Sequence, residues 1–371
     1  MIRLLQSPNN VSRSIILLLP LLFLVLNACD QKRRAIGEED EIYVFADSTE
    51  YFEIEAELLQ IFGKTIFTPQ PENLFKLTHK NIQELPKYKN RKNIIIVAPL
   101  NSGSDVSTYI SSIIDSTVQS LFESGEEFVI KKRDLWAAGQ MVMILSAPTM
   151  EQLKNDVLLN NEDLLYVFRK ISNERLYGNL YSKKYERREI QGKILNEYGW
   201  VIYVQIDFHL ALDKPEDNFV WLRRAPGSDM ERWIFVHWIE NASPELLNED
   251  SVLAIRDRIT KKRLLTSDEK SYVMIAEHYR KTSEVNFRGR YALMTQGLWH
   301  MNDKSMGGPF VNYSFYDEKS GRFYMLDGSI YAPKYYKKKL IQQVDVLLQS
   351  FRTEDELSED RKEELLDAIE D

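Results

Sequence analysis

Cysteine occurs once in the 371 residues, at Cys29. A single thiol excludes an intrachain disulfide and any clustered-cysteine metal site. Glycine and proline number only 15 and 12, too few for a collagen-like or low-complexity chain. Histidine is scarce as well. His79, His209, His237, His278 and His300 stand apart, with no pair at H-E-x-x-H spacing, so no metal site is expected. The net charge is -8, and nucleic acid is excluded as a partner because a binder of it usually shows a basic stripe. The G-x-S-x-G nucleophile elbow, the G-x-x-x-x-G-K phosphate loop and the G-x-G-x-x-G dinucleotide fingerprint are all missing. No cofactor is expected.

What is present begins at the N-terminus. Arg3 and Arg13 are the only charges before Cys29, and an apolar run from Ile15 to Leu26 follows them. A dozen helical residues reach roughly 18 Å, well short of the roughly 30 Å hydrocarbon core. The run therefore fits the apolar region of a signal peptide better than a membrane span. Leu26, Asn27 and Ala28 then lead into Cys29, an order that resembles the lipobox of bacterial lipoproteins. That resemblance implies cleavage before Cys29, a diacylglycerol on its sulfur and an acyl chain, such as palmitate, on its new amine. Two or more chains hold a soluble domain on a bilayer durably, whereas one does so only marginally. The membrane is thus an expected partner, reached through lipid on Cys29.

Beyond the anchor, the layout expected is a leader over 1–28, a charged tether over 29–41, an N-terminal α/β half over 42–199, a C-terminal α+β half over 200–351 and an acidic tail over 352–371. The tail carries ten acidic and three basic residues and reads as a solvated, partly helical extension with little to bury. Four stretches repeat one pattern: NIIIVAP (93–99), QMVMILSAP (140–148), WIFVHWIENASP (233–244) and MLDGSIYAP (325–333) each precede a helical periodicity. Proline is pre-set for early helix positions and disfavours helix in the residue before it. Strand–Pro–helix units mixed with successive strands predict an α+β (mixed α/β) fold, with antiparallel or mixed sheets and helices on one face. An internal duplication about Gly199/Trp200 would fit the repeat. Over 49–63 the spacing of Phe52, Ala56, Leu59 and Phe62 predicts one buried helix face. TPQPENLFKL (68–77) reads as irregular, and FVNYSFYDEKSGRFYMLDG as a hairpin turning at 318–321.

Candidate chemistry is thin. His237 alternates with Trp233, Phe235 and Ile239 on a strand apolar on both faces, which predicts a satisfied core histidine. Glu277, His278, His300 and Asp303 are the remaining acid/base candidates. The stretch GLWHMNDKSMGGPFVNYSFYD (297–317) suggests a binding loop made by Trp299, Met306, Gly307, Gly308, Pro309 and Phe310, with an exposed apolar patch near 297–313. Arg223, Arg224 and Arg232 surround a turn at Pro226-Gly227, where ion pairs are expected before an anion site. Lys334, Lys337, Lys338 and Lys339 flank Tyr335 and Tyr336 as a basic patch or a solvated helix face.

TPQPENLF (68–75), NFVWLRR (218–224), GLW (297–299), MGGPFVNY (306–313) and YAPKYYKKKLIQQV (331–344), behind a lipobox, together resemble the Bacteroidota lipoproteins grouped as domain of unknown function 4837. The resemblance covers residues 45–351. It implies an envelope location, with the periplasmic face of the outer membrane first and surface exposure second, and carries no catalytic residues over. The function expected is a non-catalytic binding or assembly module with an envelope protein as partner. The alternatives are an enzyme acting on an envelope polymer through carboxylates or histidine, and a carrier of a small apolar ligand.

Overall fold

The computed structural model describes residues 32–68 and 70–369. Leu26, Asn27, Ala28 and Cys29, with the leader before them, lie outside these residues. The chain divides into two compact units. One comprises the residues up to Glu57 with Leu77–Asn160, the other Leu58–Lys76 with Asn161 onward.

The first strand, β1 (Glu41–Phe45), runs into a helix, Ser48–Phe62. A short hairpin, β2 (Thr65–Phe67) and β3 (Pro71–Asn73), follows and belongs to the second unit. The first unit resumes with β4 (Lys76–Lys80), β5 (Asn93–Val97), β6 (Val129–Arg133) and β7 (Met141–Leu145), in the sheet order β4-β1-β5-β7-β6. β1, β5 and β7 are mutually parallel, and β6 closes the edge antiparallel. Every residue of NIIIV and MVMIL is buried, the mark of strands covered on both faces.

The second unit adds β8 (Trp200–Val201), β9 (Phe208–Lys214), β10 (Phe219–Arg224), β11 (Glu231–Ile239), β12 (Val273–Ile275), β13 (Lys281–Phe287), β14 (Arg290–Met301), β15 (Gly307–Asp317), β16 (Arg322–Tyr331) and β17 (Arg352–Thr353). Eight of them form one sheet, β12-β14-β15-β16-β11-β10-β9 with β13 also on β14. One face packs Val236, Leu326 and Tyr324 against Val344 and Leu348 of the Lys338–Leu348 helix. The other packs Phe235, Phe310 and Met325 against Val252, Ile255 and Ile259 of the Glu249–Arg263 helix. At its centre, on that second face, Arg256 and Asp327 form an ion pair at 2.7 Å with side chains 1% and 0% exposed.

The fold is α+β, with the strand–Pro–helix junctions in place. Three of the following helices are capped by the residue before them, Ser104, Thr149 and Asn248. The fourth, at Lys337, has no side-chain cap of its own. The Glu72 carboxylate supplies it, accepting from the backbone N–H of Lys337 at 2.8 Å and of Lys338 at 3.1 Å. TPQPENLFKL is therefore not wholly irregular: it holds β3, the second strand of the β2–β3 hairpin, which carries this carboxylate, and the start of β4. The hairpin at 318–321 is as expected, with Asp317 opposite Arg322 and Gly321 at φ +65.

Four expectations change. On the Ser48–Phe62 helix the buried line is Tyr51, Ile54, Leu58 and Ile61; of the expected line Phe62 is buried, but Phe52 is 75% and Leu59 42% exposed and Ala56 is exposed too. Two apolar lines share this helix, and β-branched Ile54 and Ile61 mark the inner one. The two sheets differ in topology, one with a parallel core and one antiparallel, which removes the duplication. The end of the tether is laid down rather than loose: Arg34 bridges to Ala138 and Ile36 to Arg91. The acidic tail is likewise no solvated extension. Its helix, Glu359–Asp367, buries Leu365 with Leu195 and Val201. Gly192 on the Arg188–Tyr198 helix makes room, since a Cβ there would meet the Leu365 carbonyl oxygen at 2.0 Å. Cations from outside the tail then offset part of the acidic charge that suggested solvation: Lys183 pairs with Glu364, Arg290 with Glu356 and Lys319 with Asp355.

Candidate functional site

The stretch read as a binding loop is mostly strand. Trp299 lies near the end of β14, and Gly307, Gly308, Pro309 and Phe310 open β15, leaving only 302–306 as the turn. Trp299 and Phe310 are 2% and 1% exposed, so no exposed apolar patch forms there. The glycines explain the motif. Gly308 pairs with Trp299 and Gly297 with Phe310, and each ring lies over the position that has no side chain. A Cβ on Gly297 would stand 3.0 Å from the Phe310 ring, so glycine and aromatic alternate across the two strands.

With Trp299 laid inward, the apolar surface expected outside lines a cleft at one end of the sheet. Its volume is about 510 Å³. Antiparallel pairing brings the end of β10 (Trp221, Arg223), the start of β11 (Glu231, Trp233), the end of β14 (Trp299, Met301) and the end of β16 (Tyr331) to this place. Leu264 and Thr266, just past the Glu249–Arg263 helix, and the turn at Gly227 and Ser228 complete the rim. Trp233 and Trp299 pack against each other with their rings tilted by 59° and centroids 4.9 Å apart. Met306 lines the cleft too, so two of the six expected loop residues, Trp299 and Met306, reach it.

The electrostatics at the mouth are closed in pairs. Arg223 donates through Nε to Glu231 Oε1 at 2.6 Å, and the other Glu231 oxygen accepts from the Gly227 N–H at 3.0 Å. The same guanidinium sits 4.6 Å from the Trp221 ring centroid, a cation–π contact. Asp229 pairs with Lys334 at 2.5 Å. Of the other arginines at the turn, Arg224 pairs with Asp207. Arg232 is buried beside the Lys338–Leu348 helix, where burial lowers its pKa to about 10 and Nη1 donates to Gln343. The basic patch is equally engaged: Lys337 Nζ donates to Gln70 and Lys338 Nζ to the Asn73 carbonyl.

The acid/base candidates are not brought into one constellation. No hydrogen bond or ion pair joins any two of Glu277, His278, His300 and Asp303. Glu277 and His278 are exposed between β12 and β13. His300 Nδ1 meets the carbonyl of Met301 at 2.6 Å. Asp303 accepts from Ser305 and Ser271, and these hydrogen bonds hold its carboxyl at about 2. That favours a permanently charged turn residue over a proton donor. Among the described residues no group of three or more His, Cys, Asp or Glu could hold a metal ion. His237 is a core histidine, 8% exposed on the central strand β11, with Nδ1 on the Asn218 carbonyl at 3.0 Å.

Sequence reasoning missed Trp221, Trp233 and Tyr331. The signal was there for the two tryptophans: they alternate with Arg223 and Glu231 on either side of the Pro226-Gly227 turn, which sets them on one face of a hairpin.

Residues 187–350 match a family model described as Domain of unknown function (DUF4837), and residues 35–181 match a second, Domain of unknown function (DUF8532). The first match is narrower than the resemblance over 45–351, and TPQPENLF lies within the second. No curated protein matches the chain. Among solved structures, a mutant of the protein Mog1 is 11% identical, with a TM-score of 0.27 over 42% of this chain and 90% of that one. The Saccharomyces cerevisiae Ran-binding protein Mog1p is 10% identical, with the same TM-score and coverage. The human StarD13 (DLC2) lipid transfer and protein localization domain is 15% identical, with a TM-score of 0.18 over 44% of this chain and 94% of that one. At such scores none of the three informs the function.

Proposed function

We propose, from the match of residues 187–350 to the DUF4837 family model and from the cleft, a non-catalytic binding module, held in the cell envelope by lipid on Cys29, whose binding site is the tryptophan cleft. One observation carries the reading: a cavity of about 510 Å³ walled by Trp221, Trp233, Trp299, Met301 and Tyr331. Volume and lining are those of a small-molecule site, with a few polar groups set among aromatic and aliphatic ones. The order Leu26-Asn27-Ala28-Cys29 behind a short apolar run supports the anchor. The outer membrane, on its periplasmic face, is the first placement and surface exposure the second. An envelope protein that delivers or receives the ligand is the partner this implies.

An enzyme acting on an envelope polymer has less support, since no hydrogen bond or ion pair joins its four candidate residues and hydrogen bonds hold the Asp303 pKa at about 2. The test of the cleft is a titration of the full chain with N-phenyl-1-naphthylamine, read by energy transfer from the tryptophans. Saturable transfer that Ser228→Trp, a plug at the rim, abolishes is the expected result. Transfer unaffected by the plug would remove the cleft as the site. For the anchor, Cys29→Ser should leave an uncleaved precursor without lipid label; a normally processed and acylated mutant would defeat it.

A further inference from the structure

We infer that the cleft selects an uncharged, largely apolar ligand that carries a hydrogen-bond acceptor of the carbonyl class, placed against Trp221 and Trp233. The inference rests on the cleft being the binding site, as proposed above, and adds the chemistry of what enters it.

Charge comes first. Three charged side chains line the cleft, Arg223, Asp229 and Glu231, and each is already in an ion pair, with Glu231, Lys334 and Arg223 respectively. Arg223 is further committed to the Trp221 ring and Glu231 to the Gly227 N–H. An ionic ligand would be desolvated here with no free counter-charge to meet it. A neutral one avoids that charge-desolvation cost.

Two donors supply the second half. The indole Nε1 of Trp221 and that of Trp233 are both buried with no acceptor, and Trp233 is only 5% exposed. Buried N–H groups are nearly always paired, and an unpaired one is costly. The third indole on the wall shows the contrast, since Trp299 Nε1 donates to the Ile330 carbonyl at 3.2 Å. Neither nitrogen has surface open to the cleft as the rings stand, so a ligand oxygen accepts from one of the idle indoles on a small turn of the ring, and that bond offsets the cost. Its apolar remainder meets Met301, Met306, Leu264 and Val273, where the two methionines adapt to irregular shapes.

Three neutral or charged naphthalene probes separate these statements on the full chain. Prodan is uncharged and carries a ketone; N-phenyl-1-naphthylamine is uncharged without one; anilinonaphthalene sulfonate is an anion. The sulfonate is expected to bind at least roughly tenfold more weakly than its uncharged relative. Trp233→Phe keeps an apolar ring and removes the N–H, and Trp221→Phe does the same at the half-buried position. At least one should lower the prodan to N-phenyl-1-naphthylamine affinity ratio by roughly threefold to tenfold, the worth of one hydrogen bond. The ketone's emission should shift with it. Continued binding of the uncharged amine shows that the variant is folded. A ratio unmoved within about twofold in both variants, or equal affinity for the sulfonate, overturns the inference while leaving the cleft as a site. If none of the three probes binds the native chain, the proposed function itself falls.

Discussion

Trp299 on β14 stands opposite Gly308 on β15, and its indole N–H crosses to the carbonyl of Ile330 on β16 at 3.2 Å. A Cβ on Gly308 would come within 1.9 Å of that same oxygen. The missing side chain therefore lets the ring lie inward as a wall of the cleft. Gly308→Ala is expected to cost about 1–3 kcal/mol, the range for overpacking a filled site, and to lower the urea midpoint. Gly178→Ala is the control: nothing lies within 4 Å of its would-be Cβ in the Asn161–Leu180 helix, so stability should hold or rise slightly. Equal midpoints for the two variants would refute the close approach.

Gly192 and Leu365 make the corresponding contact for the C-terminal segment. A Cβ on Gly192 meets the Leu365 oxygen at 2.0 Å, a helix backbone that cannot give locally. Gly192→Val should lift the Glu359–Asp367 helix and expose Leu195 and Val201. Limited proteolysis would then clip the variant after about 350 residues, faster than the native chain. A tail as resistant in the variant as in the native protein would return it to the status of a loose extension.

Glu72 caps a helix whose own sequence provides no cap. Glu72→Ala strands the N–H groups of Lys337 and Lys338 at the head of the Lys338–Leu348 helix, and about 1–2 kcal/mol should be lost. Glu72→Gln keeps an acceptor oxygen but not the charge at the positive end of the helix, and should lose about half as much. The urea midpoints of the three proteins check the order. Indistinguishable midpoints would mean that the carboxylate is dispensable.

The pH dependence of stability should contain a histidine component. Burial, as the first cause, pushes the pKa of His237 below its ordinary 6.5. Arg258 pushes the same way, whereas the Asn218 and Asp217 carbonyls and the Asp217 charge oppose it. The unfolded chain therefore takes up a proton near 6.5 that the native chain accepts only at lower pH. Stability from this group is complete above about 6.5 and is lost as pH falls toward the depressed native value. His237→Gln should make the urea midpoint less sensitive to pH between about 7 and 5. Parallel losses in the two proteins over that window would count against it.

The strand–Pro–helix junctions, the hairpin at 318–321 and the core position of His237 follow from local periodicity and turn chemistry, and all are present. Features that depend on a distant partner did not show locally. Phe52 and Leu59 are as apolar as Ile54 and Leu58, so only the packing decides which line of that helix is buried. The tail's charge suggested solvation because its acids find their partners far away in sequence, Glu364 at Lys183, 181 positions off, and Glu356 at Arg290, 66 positions off. For the site, Trp299 and Met306 were named, but as an exposed loop. Their inward turn depends on Gly308 and on β16, and Trp221 and Trp233 join them only through strand pairing.

The central claim is that the cleft holds a small uncharged ligand. Its most direct measurement is native mass spectrometry, with solvent extraction, of the full chain purified gently from its own membranes beside the Ser228→Trp variant. The account predicts an extractable apolar, carbonyl-bearing molecule bound to the native protein at up to one per chain and lost from the variant. Identical extracts from the two proteins, or a native chain that carries nothing and binds no uncharged probe, would contradict it.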